Sequence, residues 1–198
     1  MKAKKIKQRS VHQVMFPNAI KLSKQTDLRE NTRYNCLVDG SFIFGDYLEA
    51  LMVNQNIGAE SMAISTLSLS QNNVDSLYTL LEKDYIKDLT LIVSDYFYSH
   101  ERNKLIKYIY ERLDYKDRFQ LSVARTHAKI TYFKTYGGKK VVIHGSANLR
   151  SADNIEQFTI EIDDELYNFY NDFFSKVIDK YKTINKSLTN KQIRNLIN

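Results

Sequence analysis

Among 198 residues the chain has one cysteine, one proline, six glycines and no tryptophan. A lone cysteine, Cys36, excludes an internal disulfide and any zinc site built on paired cysteines. It fits a reducing compartment, so the cytoplasm is the expected location. So little proline and glycine advertises few long loops or linkers. No run of about 18 uncharged apolar residues occurs, which excludes the simplest kind of membrane span. The basic start, MKAKKIKQRS, leads into no apolar core segment, so no signal peptide is expected. There is no internal repeat either.

What is present suits a single soluble domain: 43% apolar and 26% charged residues. The formal net charge is +6 and the isoelectric point about 9.2. Excess positive charge gathers polyanions, of which nucleic acid is the commonest in cytoplasm; the blander effect of such an excess is solubility alone. Lys2, Lys4, Lys5, Lys7 and Arg9 cluster at the start, as a phosphate-binding arm or a solvated tail would. The first thirty-odd residues are polar and weakly periodic. The expected organisation is therefore a basic arm or extension over 1–33, one domain over 34–184, and a tail or short helix over 185–198.

From Tyr34 the pattern becomes regular. YNCLVD predicts a short buried strand, and GSFIFGDYLEALMVNQN a turn into an amphipathic helix. ESMAISTLSLS alternates as a strand does. NNVDSLYTLLEKD predicts a helix capped by Asn72 or Asn73. DLTLIVSDYF is a near-continuous apolar run of the kind found in doubly covered strands. SHERNKLIKYIYERLD predicts one helix opened by Ser99, and DRFQLSVAR another strand. This alternation implies an α/β fold with a largely parallel sheet flanked by helices. The pattern then changes to three strand-like pieces, HAKITYFK, KKVVIHGS and IEQFTIEI. The first two are joined by a Tyr136-Gly137-Gly138 turn, so a hairpin is expected. DDELYNFYNDFFSKVIDKYKTI closes as an amphipathic helix with Leu166, Phe169, Tyr170, Phe173, Val177 and Tyr181 on one stripe. That stripe, with its aromatics Phe169, Tyr170 and Phe173, is the expected core face.

The chemistry concentrates in RTHAKITYFK and HGSANLRSADNIEQF. In an extended strand His127 and Lys129 project from the same face, and an imidazole beside an ammonium suits a phosphate better than a core. Sixteen residues after Lys129, Gly145-Ser146-Ala147-Asn148 ends an apolar strand, with a glycine that lets backbone approach a ligand closely. Ser146 and Asn148 are neutral donors for phosphate oxygens, and Arg150 is a candidate phosphate contact. Glu156 opens the next strand, where a carboxylate could accept a histidine Nδ1–H and set its tautomer. The strand-ending stretches VDGS, STLSLS and SDYFYSHER are further candidates to line a cleft.

Together, His127-x-Lys129, Gly145-Ser146-x-Asn148 and Glu156 resemble the HKD signature of the phospholipase D superfamily, and most closely its single-motif nucleases and the catalytic domains of its restriction enzymes. The resemblance spans roughly 34–181. It departs in two places: Lys134 stands where the family has an aspartate, and the segment between the lysine and Gly-Ser is longer. The resemblance implies a metal-independent phosphodiesterase with no cofactor. His127 would attack phosphorus and form a phosphohistidine, while Lys129, Asn148 and Ser146 hold the oxygens. The superfamily uses two such motifs and this chain has one, so the resemblance implies a homodimer with a shared site. Basic charge and small size favour nucleic acid as substrate, DNA before RNA, and no membrane partner. An inactive nucleic-acid-binding relative and a phospholipid-processing enzyme are the alternatives, the first motivated by Lys134.

Overall fold

The computed structural model describes residues 9–13, 18–150 and 153–181. Lys2, Lys4, Lys5 and Lys7, and the expected tail or short helix over 185–198, lie outside the described residues. Eight strands and six helices follow in the order β1 (Arg9–Gln13), α1 (Ala19–Gln25), β2 (Thr32–Val38), α2 (Phe44–Asn54), β3 (Ala59–Thr66), α3 (Gln71–Glu82) and β4 (Ile86–Ser94). Then come α4 (Asp95–Glu101), α5 (Leu105–Leu113), β5 (Phe119–Ala124), β6 (Lys129–Thr135), β7 (Lys140–Gly145), β8 (Glu156–Ile162) and α6 (Asp164–Tyr181).

The strands form one mixed sheet in the order β1-β2-β8-β7-β6-β3-β4-β5. Pairing is parallel for β1–β2, β3–β4 and β4–β5 and antiparallel at the other four joints. Following those joints, six strands point the same way and only β6 and β8 are reversed. The expected parallel character survives in direction, with two reversed strands inserted between the parallel pairs. As a result the C-terminal ends of β2, β3, β4, β5 and β7 share one edge with the N-terminal ends of β6 and β8. The chain ends that carry the candidate motifs all meet there.

Two layers of helix explain the near-continuous apolar runs. Leu89, Leu91 and Val93 of β4, with Val141 and Ile143 of β7, join one large core with α1 to α5. The intervening Ile92 and Val142 face a second core under α6. With both faces covered, these central strands are apolar on both sides. Residues 9–25, expected to belong to an extension, supply β1 and α1. The hairpin turn is present: Gly138 sits at φ +83°, and Thr135 N–H donates to Lys139 O at 2.9 Å.

Three local expectations are corrected. The cap of α3 is Ser70, whose side chain and that of Asn73 complete a reciprocal capping box. The helix expected from Ser99 is two helices. Ser94 caps α4, accepting Phe97 N–H at 3.1 Å, and the chain breaks over 102–104 before α5. On α6, Phe169 and Phe173 are 64% and 53% exposed, whereas Tyr167 and Phe174 are buried. Leu166, Tyr170 and Val177 of the expected stripe do pack against this second core, but its buried centre on α6 is Tyr167 and Phe174, with Phe169 and Phe173 left outside.

Candidate active site

β6 begins at Lys129, so His127 lies in the loop just before it and is exposed. That loop is pinned on both sides of the histidine. Thr126 Oγ1 accepts Ala128 N–H at 3.0 Å, a local side-chain turn. Ser65 Oγ, at the end of β3, donates to Ala128 O at 2.9 Å. Lys129 Nζ turns back to His127 O at 3.2 Å. Among the described residues no carboxylate pairs with that ammonium.

Lys129 stands opposite Gly145 in the β6–β7 ladder, which brings the two motifs side by side. The role of Gly145 differs from the expected one. A Cβ there would come within 2.1 Å of Gln157 O and 2.6 Å of Phe158 Cα, so the glycine admits β8, not a ligand. Phe158 is fully buried, with ring centroids 5.7, 5.2 and 5.5 Å from those of Phe42, Phe44 and Tyr47. Each such pair adds about 0.5–1.5 kcal/mol beyond burial. That cluster anchors the start of β8 beneath the edge.

Ser146 is clamped to β8. Its N–H donates to Gln157 O at 2.8 Å, its Oγ accepts Gln157 N–H at 3.0 Å, and its hydroxyl donates to the Glu156 carboxylate. Glu156 thus engages Ser146 within the chain, where a histidine had been expected. Asn148 fastens the next turn to the end of β3: its Oδ1 accepts Leu67 N–H at 3.0 Å and the Thr66 hydroxyl at 3.4 Å. Among the described residues no acceptor takes its Nδ2 hydrogens. Leu149 is buried, donating N–H to Thr66 Oγ1 at 3.3 Å and accepting Gly45 N–H at 2.8 Å. Arg150 follows it, exposed.

One feature of the edge was visible only as a polar strand end. Ser94 and Ala124 are partners in the β4–β5 ladder, so the residues that follow them are neighbours. Asp95 Oδ2 meets Arg125 Nε at 3.5 Å, and the arginine side chain is 62% exposed. The signal available was the stretch SDYFYSHER, whose pairing with Arg125 needs the parallel register to be known.

No protein-family model and no curated protein sequence matches the chain. Solved structures do. NucT from Helicobacter pylori matches with a TM-score of 0.51 at 16% identity, covering 77% of this chain and 99% of that one. Phosphatidylserine synthase from Haemophilus influenzae Rd KW20 matches with a TM-score of 0.56 at 11% identity, covering 91% of this chain and 46% of that one. The fold is phospholipase D-like. This phospholipase D-like chain spans about half the length of the synthase. Nuc from Salmonella typhimurium, a phospholipase D family member, is a further match, with a TM-score of 0.47 at 13% identity over 63% of this chain and 81% of that one.

In the phospholipase D-like frame the candidate residues come from four neighbouring strand ends: His127 and Lys129 from β6, Ser146 and Asn148 from β7, Glu156 from β8, with β3 as the anchor. Lys134, the departure from the family pattern, is at the other end of β6 and ion-paired to Glu60 at 2.6 Å. Among the described residues there is no group of three or more metal-binding side chains, and no helix is long and apolar enough to cross a membrane.

Proposed function

We propose that the chain is a phosphodiesterase that needs no metal, a nuclease acting on DNA before RNA, working as a homodimer through a phosphohistidine. One observation carries this reading. An exposed histidine stands at adjoining strand ends on one sheet edge with an ammonium that has no carboxylate partner, and an amide whose hydrogens find no acceptor, among the described residues. Phosphodiester cleavage needs a nucleophile and positive or hydrogen-bonding groups on the non-bridging oxygens, and these side chains supply both.

Neutral His127 attacks phosphorus. As the N–P bond forms, the P–O bond to the leaving nucleoside breaks, and that oxygen takes a proton from a second imidazolium. Lys129 and the Asn148 amide hold the non-bridging oxygens, with Ser146 assisting. Water then attacks the phosphohistidine and gives its proton to the second imidazole, so both histidines return to their starting states. Glu156 acts as a positioning residue through Ser146. The second histidine is His127 of the partner subunit, related by a twofold axis. The other three histidines of the chain lack a lysine two residues on. They are also engaged: His12 stands 3.5 Å from the Asn35 amide, His100 donates to Tyr96 O, and His144 meets Glu161. Arg125 and Arg150, both exposed, and the net charge of +6 favour a polyanionic substrate.

The test is cleavage of single-stranded DNA, duplex DNA and RNA in EDTA by the wild-type protein and by His127→Ala. Cutting by wild type and its loss in the variant, by about a thousandfold or more, is the expected result. Equal activity in both overturns the histidine mechanism. Inert protein that still binds DNA leaves a binding module in its place, and hydrolysis of phosphatidyl lipids in preference to DNA points to a phospholipid enzyme.

A further inference from the structure

On the same sheet edge as His127 lies a shallow cleft of about 290 Å³ lined by Asp95, Tyr96, Ser99, His100 and Arg125. Arg125 precedes His127 by two residues, so the cleft adjoins the point where a phosphate would sit. Two features of it are unlike an ordinary helix surface. Tyr96 is 68% exposed, more than any other large hydrophobic side chain described. Its ring lies over that of His100, with centroids 3.9 Å apart and planes at 34°.

The imidazole is held in place. His100 Nδ1 is 2.8 Å from Tyr96 O; a carbonyl only accepts, so Nδ1 carries the hydrogen and the imidazole is held. Tyr96 N–H donates to Asp95 Oδ1 at 2.8 Å, and the other oxygen of that carboxylate meets Arg125 Nε at 3.5 Å. Asp95 therefore ties the aromatic pair to the arginine. An exposed aromatic pair next to a guanidinium is the pairing of surfaces that a nucleotide requires. A flat ring stacks on the aromatic face and a phosphate lies by the cation. Duplex bases already stack on each other and offer no free face, so such a platform selects unpaired strands.

We infer that Tyr96 and His100 form a stacking subsite for an unpaired nucleobase flanking the phosphate held at His127, with Arg125 on the adjoining phosphate, so that the preferred ligand is single-stranded nucleic acid. The inference rests on the nuclease reading for its ligand class, but its test does not depend on cleavage. Binding of a fluorescein-labelled single-stranded oligothymidylate is measured by anisotropy for wild type, Tyr96→Ala and Tyr96→Phe, beside a strand of the same length made only of abasic sites and a duplex. Tyr96→Ala is expected to weaken binding to the thymidylate about tenfold, Tyr96→Phe to restore it, and the abasic strand to bind all three proteins alike. Wild type is expected to bind the single strand more tightly than the duplex. Equal thymidylate affinity in wild type and Tyr96→Ala overturns the subsite, as does an equal loss on the abasic strand, and so does a wild type that binds no single strand. If the subsite behaves as expected while His127→Ala leaves cleavage unchanged, the catalytic reading falls and the base-stacking site stands.

Discussion

β6 carries two lysines whose circumstances are opposite. Lys134, next to its last residue, meets Glu60 at 2.6 Å. Glu60 lies where the β3–β6 register shifts between Ala59 and Ser61; such an irregularity re-aims a side chain. The carboxylate bond holds the Lys134 ammonium above the ordinary lysine range. Lys129, the first residue, has no carboxylate partner among the described residues and bonds its Nζ to the His127 carbonyl. A lysine with a carboxylate has its charge answered by the fold, and one without has charge to offer a phosphate. Five residues of strand separate them, about 17 Å at the usual rise. Position 134, where the resembled family has an aspartate, thus lies at the end of the strand remote from His127.

That contrast can be broken from either end. Lys129→Ala is expected to lower the cleavage rate constant by about 10²–10³-fold, the usual cost of removing one preorganised donor to the developing charge, with an unchanged melting temperature. Steady-state kinetics beside thermal melting checks both parts. Gly145→Ala, opposite Lys129, forces a methyl group into the β8 backbone. It is expected to destabilise the protein by roughly 1–3 kcal/mol, measured by urea denaturation. Lys134→Ala should change least: cleavage at the wild-type rate and a melting temperature within experimental scatter, since exposed pairs contribute little. Because the lysine pKa is raised, whatever the pair does contribute is present at neutral pH. It fades only as pH rises through the elevated value, so paired melting curves are expected to coincide within scatter at neutral and at strongly alkaline pH alike.

The strands, the hairpin and the clustering of motif residues at strand ends were legible because they depend on local alternation and on glycine in a turn. Other features were not, for identifiable reasons. α6 has aromatics at 169, 170, 173 and 174, two overlapping stripes one position apart. Hydrophobicity cannot choose between them; packing under the sheet takes Tyr170 and Phe174 and leaves Phe169 and Phe173 exposed. β1, RSVHQ, has one apolar residue, so a strand at the sheet border looks like a polar arm. The break between α4 and α5 falls in Arg102-Asn103-Lys104, which holds neither glycine nor proline. The Ser146–Glu156 and Asp95–Arg125 pairs join segments ten and thirty residues apart, and only the sheet register brings them together. The strand order also accounts for the mixed pairing. The alternation of strands and helices predicts direction well, but it is silent on where β6 and β8 insert.

β1 has a consequence of another kind. It pairs in parallel with β2 from Arg9↔Thr32 to Gln13↔Cys36, and it is short, polar and itself a poor template for further pairing. Without it, β2 would become the border of the sheet. Its row of backbone donors and acceptors, backed by the buried Tyr34, Cys36 and Val38, would lie open to any other extended chain. These five residues therefore act as a guard against aggregation, sealing an adhesive margin on the far side of the molecule from β5.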